Sequence, residues 1–282
     1  MTRSENRHSP APLAGVIGQP IGHSLSPVLH RHWLSTYQVP GDYIAMDVAE
    51  GDLADVLRVL PKAGFVGVNI TIPHKVAALE IADLVTDRAT IIGAANTLIF
   101  RRDGKIHADN TDGYGFIANL RQTAPDWQPA VGPAAVLGAG GAARAVISSL
   151  LEVGVPQILL SNRTRPKAEA LRSEFGSRID VVDWVQAGNI LEDAATVINT
   201  TSLGMTGSPE LRIPLDGLNR NALVTDLVYS PLRTRLLEQA ADMGCRTVDG
   251  LGMLIHQAVP AFERWFGIRP EVTEDTRRTL LG

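Results

Sequence analysis

Cysteine is almost missing from this chain: Cys245 is the single one in 282 residues. An intramolecular disulfide and a cysteine-rich metal site are thereby excluded, and the lone thiol is expected to be packed. Nor is there an excess of positive charge. The formal net charge is −4, with Lys and Arg scattered along the chain, which argues against nucleic acid or an anionic membrane surface as partner. No apolar run approaches the roughly 18 residues that a membrane helix needs, and residues 1–11 lack the apolar core of a signal peptide. The expectation is a cytoplasmic protein with a frayed N-terminus, acting on a small soluble molecule. Metal chemistry is not expected either. His30 and His32 fall on different sides of a helix, and His8, His23, His74, His107 and His256 form no ligand spacing. No internal repeat or low-complexity tract is present.

What is present is enough apolar material, 45% of 282 residues, for two cores, and at this length two domains are the prior. The most informative stretch runs from Ala134 to Arg144. A strand-like apolar run ends in Gly138, Ala139, Gly140, Gly141, Ala142 and Ala143, a Gly-x-Gly-x-x-Ala turn, and an Ala-rich segment of helical spacing follows. Strand, tight turn and helix in this order bind phosphate, because glycines admit the anion close to the backbone and the first helical N–H groups point at it. A dinucleotide is the expectation; an ordinary turn in an α/β domain is the simpler alternative.

A strand at 157–161 follows, and the residues after it choose the cofactor. NAD sites carry Asp or Glu there for the ribose 2′-hydroxyl. Here stand Asn162, Arg163, Thr164, Arg165 and Lys167, whose cations favour the 2′-phosphate of NADP; Arg163 can pair with it in bidentate fashion or stack on adenine. Further strands are expected at 179–182, 196–199 and 223–228, and a helix at 232–243. The loop from Asn199 to Met205 leaves a strand end, where the nicotinamide should lie.

The first part of the chain alternates strand and helix. Strands are expected at 13–17, 43–47 and 65–72, and helices at 27–37, 53–62 and 75–84, so its sheet should be largely parallel. Ser26 as N-cap with Pro27 at the first helical position accounts for both residues but leaves Ser24 unexplained. Two hydroxyls at i and i+2 suit two hydrogen bonds to one polyol or carboxylate, and the residues alone leave both readings open. Asn69 and Thr71 share a face at a strand end. Lys75, in the next helical turn, stands at the wrong end of that helix dipole. Taken singly it reads as a solvated lysine. A hairpin is expected through residues 101–104, then the crowded run from Asp109 to Gly115 before a helix at 116–122. Asp112 there is either the helix cap or, with Lys75, a carboxylate that can hold an amine. The proline-rich, aperiodic stretch 123–133 reads as a domain boundary.

Seven ordered segments together resemble the shikimate dehydrogenase family: Ser24-Leu-Ser26-Pro27, Asn69-Ile-Thr71-Ile-Pro-His-Lys75, Gly93-Ala-Ala-Asn96-Thr97, Asn110-Thr-Asp112-Gly113, the turn at Gly138, Asn162-Arg-Thr164 and Gly250-Leu-Gly-Met253-Leu-Ile-His-Gln257. The resemblance implies an α/β fold of two domains. These are a substrate-binding and catalytic domain over 12–115 and a Rossmann-type, doubly wound NADP-binding domain over 116–250, with a C-terminal helix at 251–282 returning to the first. It implies Lys75 and Asp112 as the catalytic pair, and Ser24, Ser26, Asn69, Thr71, Asn96, Tyr229 and Gln257 beside them on the substrate. For the cofactor it points to residues Gly138 to Ala142, to Asn162, Arg163, Thr164 and Lys167, and to Leu227, Gly250, Asp87 and Met253. Ala95 and Lys167 depart from the family pattern, and Lys167 keeps charge without the planar fork of Arg.

The activity so implied is reversible, NADPH-dependent reduction of 3-dehydroshikimate to shikimate, in the biosynthesis of aromatic amino acids through chorismate. Lys75 would be the proton donor, oriented by Asp112. Ser26, where quinate-preferring members carry Thr, favours shikimate. The rivals are a quinate or aminoshikimate paralogue, a nucleotide sensor without chemistry, and a methyltransferase using S-adenosylmethionine, which would have no use for Arg163. A homodimer is compatible with all of these, and no sequence feature fixes the subunit count.

Overall fold

The computed structural model describes residues 11–282. Residues 1–10, with His8 and the start expected to be frayed, lie outside them. Two compact units divide the chain. The first takes the chain up to Thr90, Ala94–Asp109 and Val259–Gly282; the second takes Ile91–Gly93 and Asn110–Ala258.

The first unit is built on six strands: β1 (Leu13–Gly18), β2 (Asp42–Asp47), β3 (Phe65–Ile70), β4 (Leu84–Val85), β5 (Thr97–Phe100) and β6 (Ile106–Asp109), in the order β2-β1-β3-β5-β6-β4. The pairings of β1 with β2 and β3, and of β4 with β6, are parallel; β5 runs antiparallel to both its neighbours. The β5–β6 hairpin closes where Gly104 N–H donates to the Arg101 carbonyl at 3.0 Å. Period-two alternation along β1 fills both faces of the sheet. Ala14 and Val16 enter an aromatic cluster with Tyr43 and Trp265, while Ile17 joins Leu57, Val68 and Leu98 on the other side. Helices α1 (Ser26–Thr36), α2 (Leu53–Val59), α3 (Lys75–Ile81) and α4 (Asp87–Ile92) fill the connections.

The second unit is all parallel: β7 (Ala134–Leu137), β8 (Ile158–Asn162), β9 (Ile179–Asp183), β10 (Thr196–Asn199), β11 (Leu223–Asp226) and β12 (Arg246–Val248), ordered β12-β11-β10-β7-β8-β9. The chain moves outward from β7 through β8 to β9, then returns to β7's other side with β10. That reversal is the switch point at which open parallel sheets bind ligands. Ala134 and Val136 belong to one core cluster and Ala135 and Leu137 to another, so β7 is buried on both faces. The remaining helices are α5 (Asp112–Thr123), α6 (Gly141–Glu152), α7 (Arg165–Phe175), α8 (Arg235–Asp242), α9 (Leu251–Phe266) and α10 (Glu274–Leu281).

Local signals and packing disagree in a few places. Helix α5 begins at Asp112, four residues before the expected start, and the contact division falls ahead of it, between Asp109 and Asn110. The reason is its apolar face: Phe116, Ile117 and Leu120 share a core with Val146, Ile147 and Leu150 of α6. The proline-rich stretch 123–133 therefore lies inside the second unit, where the Trp127 indole donates to Thr196 Oγ1 at 3.0 Å. At the other end the division falls within α9, between Ala258 and Val259. Strands β4 and β12 and helix α4 are too short to show a period. Helix α10 has a legible start, since Thr273 caps it by accepting from Thr276 N–H at 3.2 Å, with Glu274 and Asp275 in the first turn.

Candidate active site and coenzyme site

Six candidate substrate residues fall in the first unit: Ser24, Ser26, Asn69, Thr71, Lys75 and Asn96. Backbone bonds tie the 70–75 segment to the 95–96 segment. Ile70 N–H donates to the Asn96 carbonyl and Ala95 N–H to the Lys75 carbonyl, both at 2.8 Å, and His74 N–H donates to the Thr71 carbonyl at 2.9 Å. Lys75 is the first residue of α3 and is half-buried. Asn69 and Asn96 are buried. The Asn69 amide accepts from the Tyr43 hydroxyl at 2.7 Å and donates to the Asn96 carbonyl and Thr97 Oγ1, each at 3.1 Å.

The serine pair resolves differently from the capping expectation. Ser26 is inside α1, whose N-cap is Leu25, and it makes no capping bond; instead Ser24 Oγ accepts from Ser26 N–H at 3.3 Å. Capping thus accounts for part of Ser24 and leaves the Ser26 hydroxyl without a role in the helix start.

Asp112, Tyr229 and Gln257 fall in the second unit. Asp112, 5% exposed, is the first residue of α5 rather than its cap, which is Thr111. Its N–H donates to Asn110 Oδ1 at 3.0 Å, and the Thr111 hydroxyl donates to the Gln257 carbonyl at 2.8 Å. Gly115 permits this: a Cβ there would stand 2.6 Å from Gln257 Cβ and 2.8 Å from the Met253 carbonyl, so α5 and the start of α9 meet backbone to backbone. Tyr229 is half-buried on the loop after β11, and burial raises its phenol pKa.

The expected phosphate turn joins β7 to α6. Gly138 has φ +112°, and a Cβ on it would lie 2.7 Å from Thr200 Oγ1; around Gly140 nothing stands within 4 Å of a Cβ position. The turn is thus closed behind Gly138 and open before Gly140, and the first N–H groups of α6 have no partner within the helix. Ala139 N–H donates to Asn162 Oδ1 at 3.2 Å, and Asn162 Nδ2 donates to the Thr164 carbonyl at 2.8 Å, which ties the turn to the loop after β8. Three of the nearby arginines are told apart by their partners. Arg144 donates to the Ile92 carbonyl and to Glu174, and lies 5.8 Å over the Phe175 ring. Arg165 is held by Asp183 at 2.6 Å and by Glu169 at 2.9 Å. Arg163 and Lys167 are exposed, and among the described residues neither has an ion-pair partner. An open glycine cradle, free helix amides and two uncommitted cations fit a diphosphate and a 2′-phosphate.

The other coenzyme candidates divide. Leu227 and Gly250 meet closely: a Cβ on Gly250 would lie 2.3 Å from the Leu227 carbonyl oxygen. Met253 is 8% exposed and belongs to the core cluster of Phe116 and Val146, so its side chain serves packing. Asp87 is exposed at the start of α4, in the first unit, and no described hydrogen bond joins it to the rest. Sequence reasoning set Asn199 at the head of a strand-end loop but gave Asp226 no role; both are wholly buried at adjoining strand ends.

Comparison with known proteins gives the same family along the chain. Three family models match: the shikimate dehydrogenase substrate binding domain at residues 16–98, shikimate / quinate 5-dehydrogenase at 128–208, and the shikimate 5′-dehydrogenase C-terminal domain at 250–281. A protein of Cereibacter sphaeroides named shikimate dehydrogenase (NADP(+)) is 69% identical over 97% of this chain and 98% of its own length. Among solved structures, shikimate 5-dehydrogenase of Thermus thermophilus in complex with NADP(H) and shikimate has a TM-score of 0.85 at 37% identity, covering 95% of this chain and 99% of that one. Quinate dehydrogenase of Corynebacterium glutamicum in complex with NAD has 0.89 at 31% identity, covering 97% and 99%. With identity this high over nearly its whole length, the chain belongs to the shikimate dehydrogenase family.

Proposed function

We propose that this chain is an NADP-dependent shikimate dehydrogenase, interconverting 3-dehydroshikimate and shikimate. The observation that carries the reading is Lys75: a half-buried amine at the start of α3, whose own backbone is bonded beside Asn96, in a chain 69% identical to an NADP(+) shikimate dehydrogenase. NADP, when bound, supplies the hydride chemistry. Residues Gly138 to Ala142, Asn162 to Thr164, Lys167, Leu227 and Gly250 would hold it.

The chain's own groups do the rest. Lys75 gives a proton to the carbonyl oxygen as negative charge develops there, and takes it back in the reverse direction. Asp112 is the carboxylate of the proposed catalytic pair and accepts from a substrate hydroxyl. Ser24, Ser26, Asn69, Thr71, Asn96, Tyr229 and Gln257 bind the ring hydroxyls and carboxylate, and discriminate because each missing partner would leave a polar group unpaired. In a biosynthetic role the reduction direction serves the making of aromatic amino acids through chorismate, in the cytoplasm; a homodimer is compatible with it. No helix among the described residues is long and apolar enough to cross a membrane.

The test is Lys75→Ala. Turnover should fall by about 100- to 10,000-fold, the worth of general acid–base catalysis, while NADP affinity stays unchanged. Near-normal turnover would remove Lys75 from the chemistry.

A further inference from the structure

Asn199 closes β10 and Asp226 closes β11, and the parallel register pairs them directly. Both are wholly buried, at the carboxyl ends of two central strands. Asp226 has no ion-pair partner among the described residues. Its carboxylate is met instead by neutral donors: Asn199 Nδ2 at 2.9 Å and Val228 N–H at 3.0 Å on one oxygen, and the Thr234 hydroxyl at 2.7 Å on the other. A buried charge without a cation stands only where hydrogen bonds replace its water. Burial raises the Asp226 pKa, and these three bonds oppose the rise.

Asn199 is equally committed. Its Oδ1 accepts from Thr201 N–H at 3.0 Å and from the Thr201 hydroxyl at 2.7 Å; its Nδ2 donates to the Leu203 carbonyl at 3.1 Å and to Asp226. All four amide valences are used. A backbone N–H can only donate, so Thr201 fixes which way the amide faces, and the NH2 group must then find acceptors at Leu203 and residue 226. Leu227 N–H in turn donates to the Asn199 carbonyl at 3.0 Å. One side-chain pair therefore holds both loops that leave these strands: 200–203, which backs Gly138 through Thr200, and 227–229, which carries Leu227 and Tyr229.

We propose that Asp226 is a positioning residue for coenzyme binding, setting the 200–203 and 227–229 loops through Asn199 without touching the ligand. The inference rests on the reading that this unit binds NADP. An acceptor oxygen at residue 226 is what the arrangement needs, so Asn should serve where Ala cannot. The Asn oxygen still accepts from Asn199 and Val228, and the Thr234 hydroxyl turns to accept the new NH2.

The experiment titrates NADP calorimetrically into wild-type, Asp226→Asn and Asp226→Ala full-length protein without substrate, and follows amide hydrogen exchange of all three. Asp226→Ala should weaken NADP by about tenfold or more, and Asp226→Asn by no more than about threefold. Exchange at Thr201, Leu203 and Val228 should accelerate in the alanine variant alone. Unchanged NADP affinity in Asp226→Ala overturns the proposal, and so does equal damage in both variants. Should the alanine variant not fold, the wild-type exchange decides. Thr201 and Val228 amides protected like those of β10 support the proposal, and amides exchanging as fast as Gly207 overturn it. Wild-type protein that fails to bind NADP at all would instead defeat the coenzyme reading, leaving the loop protection to be judged by itself.

Discussion

At the scale of the residue, what separates the candidate ligands is which side chains are already spent. Arg165 lies between two cofactor candidates in sequence, yet Asp183 and Glu169 occupy its guanidinium and push its pKa up. Arg163, two positions earlier, is uncommitted. Arg163→Ala should therefore raise the NADP KM about tenfold or more, the loss of a charge-assisted pair, with the shikimate KM unchanged. Arg165→Ala should leave the NADP KM within about twofold, since exposed ion pairs contribute little. Steady-state kinetics on the two variants checks both. The sequence reading already set Arg163 and Lys167 apart from Arg165; the reason Arg165 is spent was not legible, because it depends on Asp183 at the end of β9.

At the scale of the element, legibility follows range. The phosphate turn was readable because strand, glycines and helix are consecutive and each has its own period. Lys75 was placed correctly at a helix start for the same reason. Asp112 reads from sequence as either a cap or a partner for Lys75, because Asn110, Thr111 and Asp112 all suit a cap; the cap position falls to Thr111. The Ser24 and Ser26 roles also turned on one residue of helix register, with Leu25 as the cap. Asn199 and Asp226 stand 27 residues apart, and nothing local tells which strands adjoin. The approach of α5 to α9 at Gly115 is likewise a tertiary fact with a local test. Gly115→Ala places a Cβ against Gln257 and Met253 backbone, and should cost about 1–3 kcal/mol by overpacking. Because Thr111 and Gln257 are joined there, the shikimate KM should rise as well, with NADP affinity retained. Urea denaturation and the two KM values measure it.

At the scale of the whole molecule, buried histidines tie stability to pH. His30 is wholly buried, stacked on Tyr43 at 3.9 Å between ring centroids, and among the described residues neither ring nitrogen has a hydrogen-bond partner. Desolvation lowers its pKa to about 3, and burial lowers that of His256 as well. A base with a depressed folded pKa leaves stability undiminished while the unfolded chain is also neutral. Below the unfolded value near 6.5 the unfolded state takes up the proton and stability is lost. Between pH 7.5 and 5.5 His30 alone should remove about 1.4 kcal/mol of unfolding free energy. His30→Phe keeps an aromatic ring in the cluster and should flatten the profile by that amount. Urea midpoints at the two pH values test this, and an unaltered slope would mean that His30 is not buried neutral.

Family membership points to shikimate, and the open glycine cradle and the uncommitted Arg163 point to NADP. Initial rates with shikimate and with quinate, each with NADP and with NAD, test that claim most directly. The account predicts the highest kcat/KM for shikimate with NADP, by at least about tenfold over each of the other three combinations. Equal or greater efficiency with quinate, or with NAD, would contradict it.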